Sequence, residues 1–201
     1  MADESRERIA AAVRELADLV ARSGAADADL DAVAAQLEAQ AARLRQLPHR
    51  AWIHDSPFHP VSLVGGRAHP TGPQLYLEPD ERGVSGSVTL GAAYEGGPGL
   101  VHGGVLSLMF DHAMGTAVFV AGHAAMTVSL EVRYRAPTQL ETPLRVAAWV
   151  DRVEGRKVFV GAEVRAADEV TASATGVFLR LTRENVERIF PADRIPADEL
   201  Q

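Results

Sequence analysis

Residues 103–120 read Gly-Gly-Val-Leu-Ser-Leu-Met-Phe-Asp-His-Ala-Met-Gly-Thr-Ala-Val-Phe-Val. The pattern predicts a helix that is apolar nearly all round, interrupted only by Ser107, Asp111, His112 and Thr116. Such a helix must be covered on almost every side. A single sheet covers one side of it. The helix therefore calls for a sheet curled around it and a second subunit over the remainder.

The same segment carries the chemistry. It opens after Gly99-Leu-Val-His102, and Gly103 and Gly104 start the helix. Glycines there leave backbone N–H groups free and let another molecule come close. Those N–H groups sit at the positive end of the helix dipole, which suits a developing oxyanion. Two turns on, Asp111 stands among Leu108, Met109, Phe110, Ala113 and Met114. Burying a carboxylate there is costly unless it has a task or a partner. Oxyanion donors beside an isolated carboxylate point to acyl chemistry.

The rest of the chain narrows the class. A net charge of −7 argues against a general nucleic-acid binder, which needs a basic surface. The absence of cysteine excludes disulfide staples, thiolate metal sites and a cysteine nucleophile. The first residues are charged and no short apolar core follows them, so no secretory signal is expected. No run of about 18 apolar residues is seen, so no membrane span is expected, and the expected location is the cytoplasm.

Residues 1–47 read as a helical hairpin. Ile9, Val13, Leu16, Leu19 and Val20 give one stripe over 4–22, and Leu30, Val33, Leu37, Ala41 and Leu44 give another, capped by Asp27 or Asp29 and stopped by Pro48. Residues 48–72 form an irregular covering loop with Trp52, Phe58 and Val61. His49, His54, His59 and His69 also fall there, at no spacing typical of metal ligands, so no metal is expected. From residue 73 to 182 the period changes to two. Gln74–Glu78, Val84–Leu90, Met126–Arg135, Leu144–Asp151, Lys157–Arg165 and Thr171–Leu181 read as strands. Their connections are too short for parallel crossovers, so the sheet is antiparallel. In Met126–Arg135 strict alternation puts Met126, Val128, Leu130, Val132 and Tyr134 on one face, with Thr127, Ser129, Glu131, Arg133 and Arg135 on the other. Residues 183–201 form a C-terminal tail.

This order of elements, with His102-Gly103-Gly104 opening the helix, then Asp111, Gly115 and Thr127, closely resembles the hotdog-fold acyl-CoA thioesterases of the phenylacetate-pathway type and their eukaryotic relatives. The resemblance covers roughly residues 73–182. It implies an α+β hotdog fold, with a curved antiparallel sheet around the central helix and dimers that often pair into tetramers. It implies that the Gly103 N–H polarises a thioester carbonyl. Asp111 is then the nucleophile or the base that activates water. Thr127 positions that water or the carboxylate, and His102 shapes the loop near the carbonyl. Gly104 lines the substrate site. The substrate is an acyl-CoA, so coenzyme A is not a separate cofactor. Candidate contacts for its phosphates are Arg133 and Arg135 on one strand, and Arg152, Arg156 and Lys157 around a turn, because guanidinium groups bind phosphate through paired hydrogen bonds. A non-hydrolytic hotdog protein binding acyl-CoA or another apolar ligand is the alternative, motivated by the extra helices and the long loop. A hotdog dehydratase would need a differently placed catalytic His, and none is evident.

Helix geometry bears on the site independently. Eight residues separate Gly103 from Asp111, or about 12 Å at 1.5 Å per residue. An attacking atom must come within about 3–3.5 Å of the carbonyl carbon. One helix therefore cannot bring both groups to one thioester. Two antiparallel helices from two subunits can, with two equivalent sites in a C2 dimer.

Overall fold

A computed structural model of the chain describes residues 2–48, 62–182 and 184–185. It forms two compact units, Met1–Gly72 and Pro73–Gln201. The first holds helices α1 (Ala2–Arg22) and α2 (Asp27–Arg45). Both follow the predicted stripes, but the start of α2 differs from expectation. Its N-cap is Ala26, which makes no side-chain capping bond, and Asp27 and Asp29 lie inside the first turn. They act there as charges at the positive helix end rather than as caps. Ile9, Val13, Leu19 and Val20 of α1 are exposed, as are Val33, Leu37 and Leu44 of α2. The Arg14 guanidinium donates to the His69 carbonyl at 2.5 Å. His49, His54, His59, Trp52, Phe58 and Val61 lie outside the described residues, and so do Val186, Ile189 and Phe190 of the tail.

The second unit is a six-stranded antiparallel sheet with one long helix. Strands β1 (Glu78–Pro79), β2 (Val84–Val88), β3 (Ala125–Tyr134), β4 (Leu144–Glu154), β5 (Lys157–Ala166) and β6 (Glu169–Arg180) are ordered β1-β2-β4-β5-β6-β3. Helix α3 (Gly103–Val120) joins β2 to β3 and lies against β2, β3, β4, β5 and β6. It has the boundaries its pattern predicts. By length and composition it is apolar enough to cross a membrane, a test that a buried core helix also passes. In this fold it is the core helix of a sheet.

The first predicted strand shrinks to two residues. Gln74 sits at φ 64°, which breaks extended backbone at the start of that segment, and only Glu78 and Pro79 pair with β2. The β4–β5 and β5–β6 connections are tight hairpins whose turns carry positive φ at Gly155 and Ala167. This confirms the short antiparallel connections that were expected.

Alternation along β4, β5 and β6 fills the core. Leu144, Val146 and Ala148 meet Val158, Val160, Ala162 and Val164, and these meet Ala172, Ala174 and Phe178, all buried. From α3 come Leu106, Met109, Phe110, Ala113, Met114, Ala117 and Val118. The remaining helix face, including Gly104, Asp111 and Phe119, is exposed in one chain. A single sheet thus leaves one side of α3 uncovered in one chain.

Strand β3 departs from strict alternation. Thr127 pairs with Phe178 and Ser129 with Val177, so Val128 is an extra residue in a β-bulge. Cross-strand partners share a face. Thr127 therefore lies on the helix side with Leu130, Val132 and Tyr134, while Met126 lies opposite Leu179 on the outer side. This corrects the predicted assignment of Met126 and Thr127. A bulge re-aims a side chain in this way.

Phe178 is 2% exposed and sits where β6, β3 and α3 meet. Replacing it with alanine should cost about 3–5 kcal/mol of unfolding free energy. Chemical denaturation should show a lower midpoint at unchanged slope.

Candidate active site

The loop before α3 is fixed by its own backbone. Gly96 N–H donates to Leu100 C=O, His102 N–H to Tyr94 C=O, and Val101 N–H to Thr138 C=O, each at 2.9 Å. Gly99 turns the chain at φ 72°, a conformation that favours glycine, and its N–H donates to Glu95 Oε1 at 2.6 Å. His102 is the N-cap, with extended backbone. Its Nδ1 accepts the Gly104 N–H at 2.9 Å, and its carbonyl accepts Val105 N–H at 2.9 Å and Leu106 N–H at 3.3 Å. An accepting Nδ1 assigns the ring proton to Nε2.

That accounts for three of the four N–H groups a helix start leaves over. The fourth, on Gly103, has no acceptor among the described residues. It is a free donor at the positive end of an 18-residue helix. The Gly103 carbonyl is held. Tyr134 Oη donates to it at 2.9 Å and Ser107 Oγ at 3.1 Å, and the two hydroxyls are 3.0 Å apart.

Asp111 follows two turns later. Its Oδ1 accepts a hydrogen bond from Thr127 Oγ1 at 2.8 Å. This contact exists because the bulge turns Thr127 to the helix side. The carboxylate is exposed in a single chain, so the burial cost anticipated from its apolar neighbours is not incurred there. Next to it, His112 is half-buried. Desolvation lowers its pKa below the usual histidine value, and the Asp111 charge only partly opposes this.

The structure thus brings His102, Gly103 and Gly104 together at one end of α3 and pairs Asp111 with Thr127 further along it. The Gly104 N–H is committed to His102. Arg133 lies across from Ser173 on the outer face of β3, away from Thr127, and pairs with Glu131 at 2.9 Å. Arg152 stacks over Phe159 at 3.7 Å and pairs with Glu154 at 2.6 Å. Arg156 donates to Arg180 C=O at 3.1 Å and to Asn185 Oδ1 at 2.6 Å. Lys157 opens β5 beside them. Strand β6 separates this cluster on β4 and β5 from Arg133 on β3, so the four cations do not form one patch. Among the described residues no group of three metal-ligating side chains occurs.

A cleft of about 440 Å³ opens elsewhere, lined by Arg82, Arg145, Trp149, Glu163 and Arg165. Its cations already have partners. Arg82 stacks on Trp149 at 3.3 Å, Arg165 pairs with Glu163 at 2.9 Å, and Arg145 reaches Ser85 Oγ at 3.4 Å. It contains none of the groups on α3, and the chemistry on α3 outweighs its size.

Residues 98–173, which include His102, Gly103, Asp111 and Thr127, match the thioesterase superfamily. A crystal structure of a thioesterase superfamily protein is 34% identical, with a TM-score of 0.79, and the match covers 87% of this chain and 94% of that one. The chain belongs to the thioesterase superfamily. The fold of this superfamily member is the hotdog, as the order of its elements predicted. Residues 73–201 make up less of the chain than the 87% that is covered, so the match extends into residues 1–72.

Acyl-coenzyme A thioesterase THEM4 of Bos taurus is 38% identical over 96 residues, 47% of this chain and 39% of the relative. THEM5 of Homo sapiens is 28% identical over 112 residues, 55% of this chain and 45% of the relative. This superfamily member therefore spans about two fifths of the length of the curated relatives it matches. A Streptococcus mutans protein solved bound to acetyl CoA is 18% identical, with a TM-score of 0.50 over 53% of this chain and 88% of that one, and shares the fold.

Ser107 and Tyr134, which the sequence reading does not single out, stand on the Gly103 carbonyl. Tyr134 had a readable signal, being in phase with Leu130 and Val132, whose face turns to the helix.

The lowered pKa of His112 has a consequence for stability. The folded state binds this proton less readily than the unfolded state, so the unfolded state holds more protons as the pH falls. The contribution is fully present above the unfolded value of about 6.5 and is lost as the pH falls through the folded value. Urea unfolding from pH 7.5 to 5 should show stability falling more steeply in the parent than in His112→Gln.

Proposed function

We propose that this protein is an acyl-CoA thioesterase whose site is completed by two copies of the chain. One observation carries the reading. Helix α3 presents a free Gly103 N–H and, about 12 Å further along, an Asp111 carboxylate oriented by Thr127. The first suits an oxyanion and the second an attack on, or proton removal beside, an acyl carbon. They are too far apart to act on one carbonyl from a single chain.

The edge of the sheet supports a second copy in that place. Among the described residues β3 pairs with β6 alone, on one side. Val128 is 60% exposed, Tyr134 56% and Met126 43%. An edge strand with open N–H and C=O groups and exposed apolar side chains is a template for pairing. Two-fold pairing of β3 with its copy also brings the uncovered faces of two α3 helices together, antiparallel. Gly103 of each chain then faces Asp111 of the other.

The reaction follows from these groups. The thioester oxygen accepts the Gly103 N–H. Asp111 attacks the acyl carbon, or takes a proton from a water that does. Negative charge builds on the carbonyl oxygen, and a preorganised donor stabilises it by about 2.7–4 kcal/mol. The C–S bond then breaks. If water attacked, the acid forms directly and Asp111 returns the water's proton to the departing sulfur. If Asp111 attacked, the resulting Asp111 anhydride is cleaved by water, whose proton goes to the departing thiolate. In either case coenzyme A leaves as its thiol and Asp111 is regenerated. Thr127 holds the carboxylate by Oδ1 and leaves Oδ2 for the reaction. In this reading Arg156 and Lys157, near a hairpin end, are candidates for the coenzyme A phosphates, and Arg133 and Arg152 reach them only from the outer sheet face. The THEM4 and THEM5 similarities favour an acyl-CoA over other thioesters.

A screen of thiol release from short, medium, long and aryl CoA esters tests the activity. Asp111→Asn should lower kcat at least about a hundredfold with the fold intact. Flat traces for the parent on every ester would move the reading to a protein that binds acyl-CoA without turning it over. The shared site has a separate test. Gly103→Pro deletes the N–H at a helix position that accepts proline, with the exposed Tyr134 side chain moving by a few tenths of an ångström to admit its Cβ. Circular dichroism and sizing check that the variant folds like the parent. Mixed with Asp111→Asn by co-expression, two inactive chains should recover roughly a quarter of parental activity, because half the dimers carry one intact site. No recovery would mean both groups act within one chain.

A further inference from the structure

We propose that Tyr134 is a positioning residue for the Gly103 donor, an assignment that deepens the thioesterase reading and rests on it. Two successive glycines make the start of α3 the turn most prone to fray. An oxyanion donor must nevertheless point in one direction before the substrate arrives. Tyr134 supplies the restraint from outside the helix.

The geometry is specific to residue 103. Tyr134 Oη donates to the Gly103 carbonyl at 2.9 Å. Each hydroxyl has one proton to give. With the Tyr134 proton on Gly103, the Ser107 proton goes to the same carbonyl at 3.1 Å or to Tyr134 Oη at 3.0 Å. In either arrangement the three groups are mutually satisfied. The Tyr134 ring also packs beside the Gly103 α-carbon. A Cβ at 103 would stand 3.1 Å from Oη and 3.2–3.3 Å from the ring carbons. The ring thus occupies the space into which the glycine would otherwise swing, and the hydroxyl fixes the direction of its carbonyl.

Tyr134 lies on β3, on the helix-side face that also carries Thr127. One strand therefore orients both chemical groups of α3, Thr127 through the Asp111 carboxylate and Tyr134 through the Gly103 backbone. The hydroxyl is committed to that backbone and takes no part in proton transfer.

The test uses the full chain with Tyr134→Phe, which keeps the ring and removes the hydroxyl. With an acyl-CoA ester, kcat should fall about tenfold and KM stay within about twofold, the size expected for one hydrogen bond acting in the transition state. Ser107→Ala alone should change kcat less, and adding it to Tyr134→Phe should cost less than the product of the two effects. Hydrogen exchange gives a readout independent of turnover. The amides of Gly104, Val105, Leu106 and Ser107 should exchange about fivefold faster in Tyr134→Phe, while those of Ala113–Val118 keep parental protection. Parental kcat, or a rise in KM with kcat unchanged, overturns the proposal. If the parent hydrolyses no ester, the thioesterase reading has failed and exchange decides alone. Faster exchange confined to the first turn supports the positioning role, and unchanged exchange overturns it.

Discussion

Two side-chain hydroxyls tie strand β3 to helix α3, and the proposed site rests on both ties. Thr127 Oγ1 holds Asp111 at 2.8 Å, and Tyr134 Oη holds the Gly103 carbonyl at 2.9 Å. Between them runs a stretch of helix of fixed rise. The distance from donor to carboxylate is therefore set by the backbone and cannot be closed by side-chain movement. In the proposed reaction, a thioester bound at Gly103 meets its acid from outside the chain. The same rigidity that orients each group forbids a single chain from using both.

The uncovered surfaces lie where that requirement needs them. Helix α3 buries one face on the sheet and leaves Gly104, Asp111 and Phe119 exposed. β3, next to that face, is an edge strand with exposed Met126, Val128 and Tyr134. Proteins usually guard an edge with proline, charge or a bulge. β3 has a bulge at Val128, but that bulge serves to turn Thr127 inward. The charges Glu131 and Arg133 satisfy each other on the outer face. The helix-side face stays apolar apart from two hydroxyls, each already committed to α3. A second copy over that face removes apolar surface from water at little polar cost.

Features set by local chemistry were legible in the sequence, and features set by packing were not. The bounds of α3 follow from His102 and the glycines at one end and from the loss of apolar pattern at the other, and they match residue by residue. The hairpins of β4, β5 and β6 follow from their alternation and short turns. The bulge at Val128 has no signature, because Met-Thr-Val-Ser-Leu reads as unbroken alternation, and one extra residue exchanges the faces of Met126 and Thr127. Gln74–Glu78 has strand composition, yet the positive φ at Gln74 limits pairing to its last residue and Pro79. Asp27 and Asp29 look like caps, but a carboxylate inside the first turn gains from the dipole without capping. Tyr134 and Ser107 meet only because β3 crosses the start of α3, 27 residues away in sequence from one to the other.

The choice of cap at the head of α3 shows how the donor stays available. Aspartate caps helices well, yet at 102 it would place a full negative charge beside the position of a developing oxyanion. The Nδ1 atom of a neutral imidazole accepts the Gly104 N–H without that charge. The ring also packs over Gly104, where a Cβ would lie 3.1 Å from Nδ1, and this accounts for the second glycine. With Gly104 capped, and Val105 and Leu106 bonded to the His102 carbonyl, competition inside the turn is removed. The helix dipole and the geometry of the loop are then directed through the single unclaimed N–H of Gly103. His102 therefore acts on the site by deciding which amide is left free.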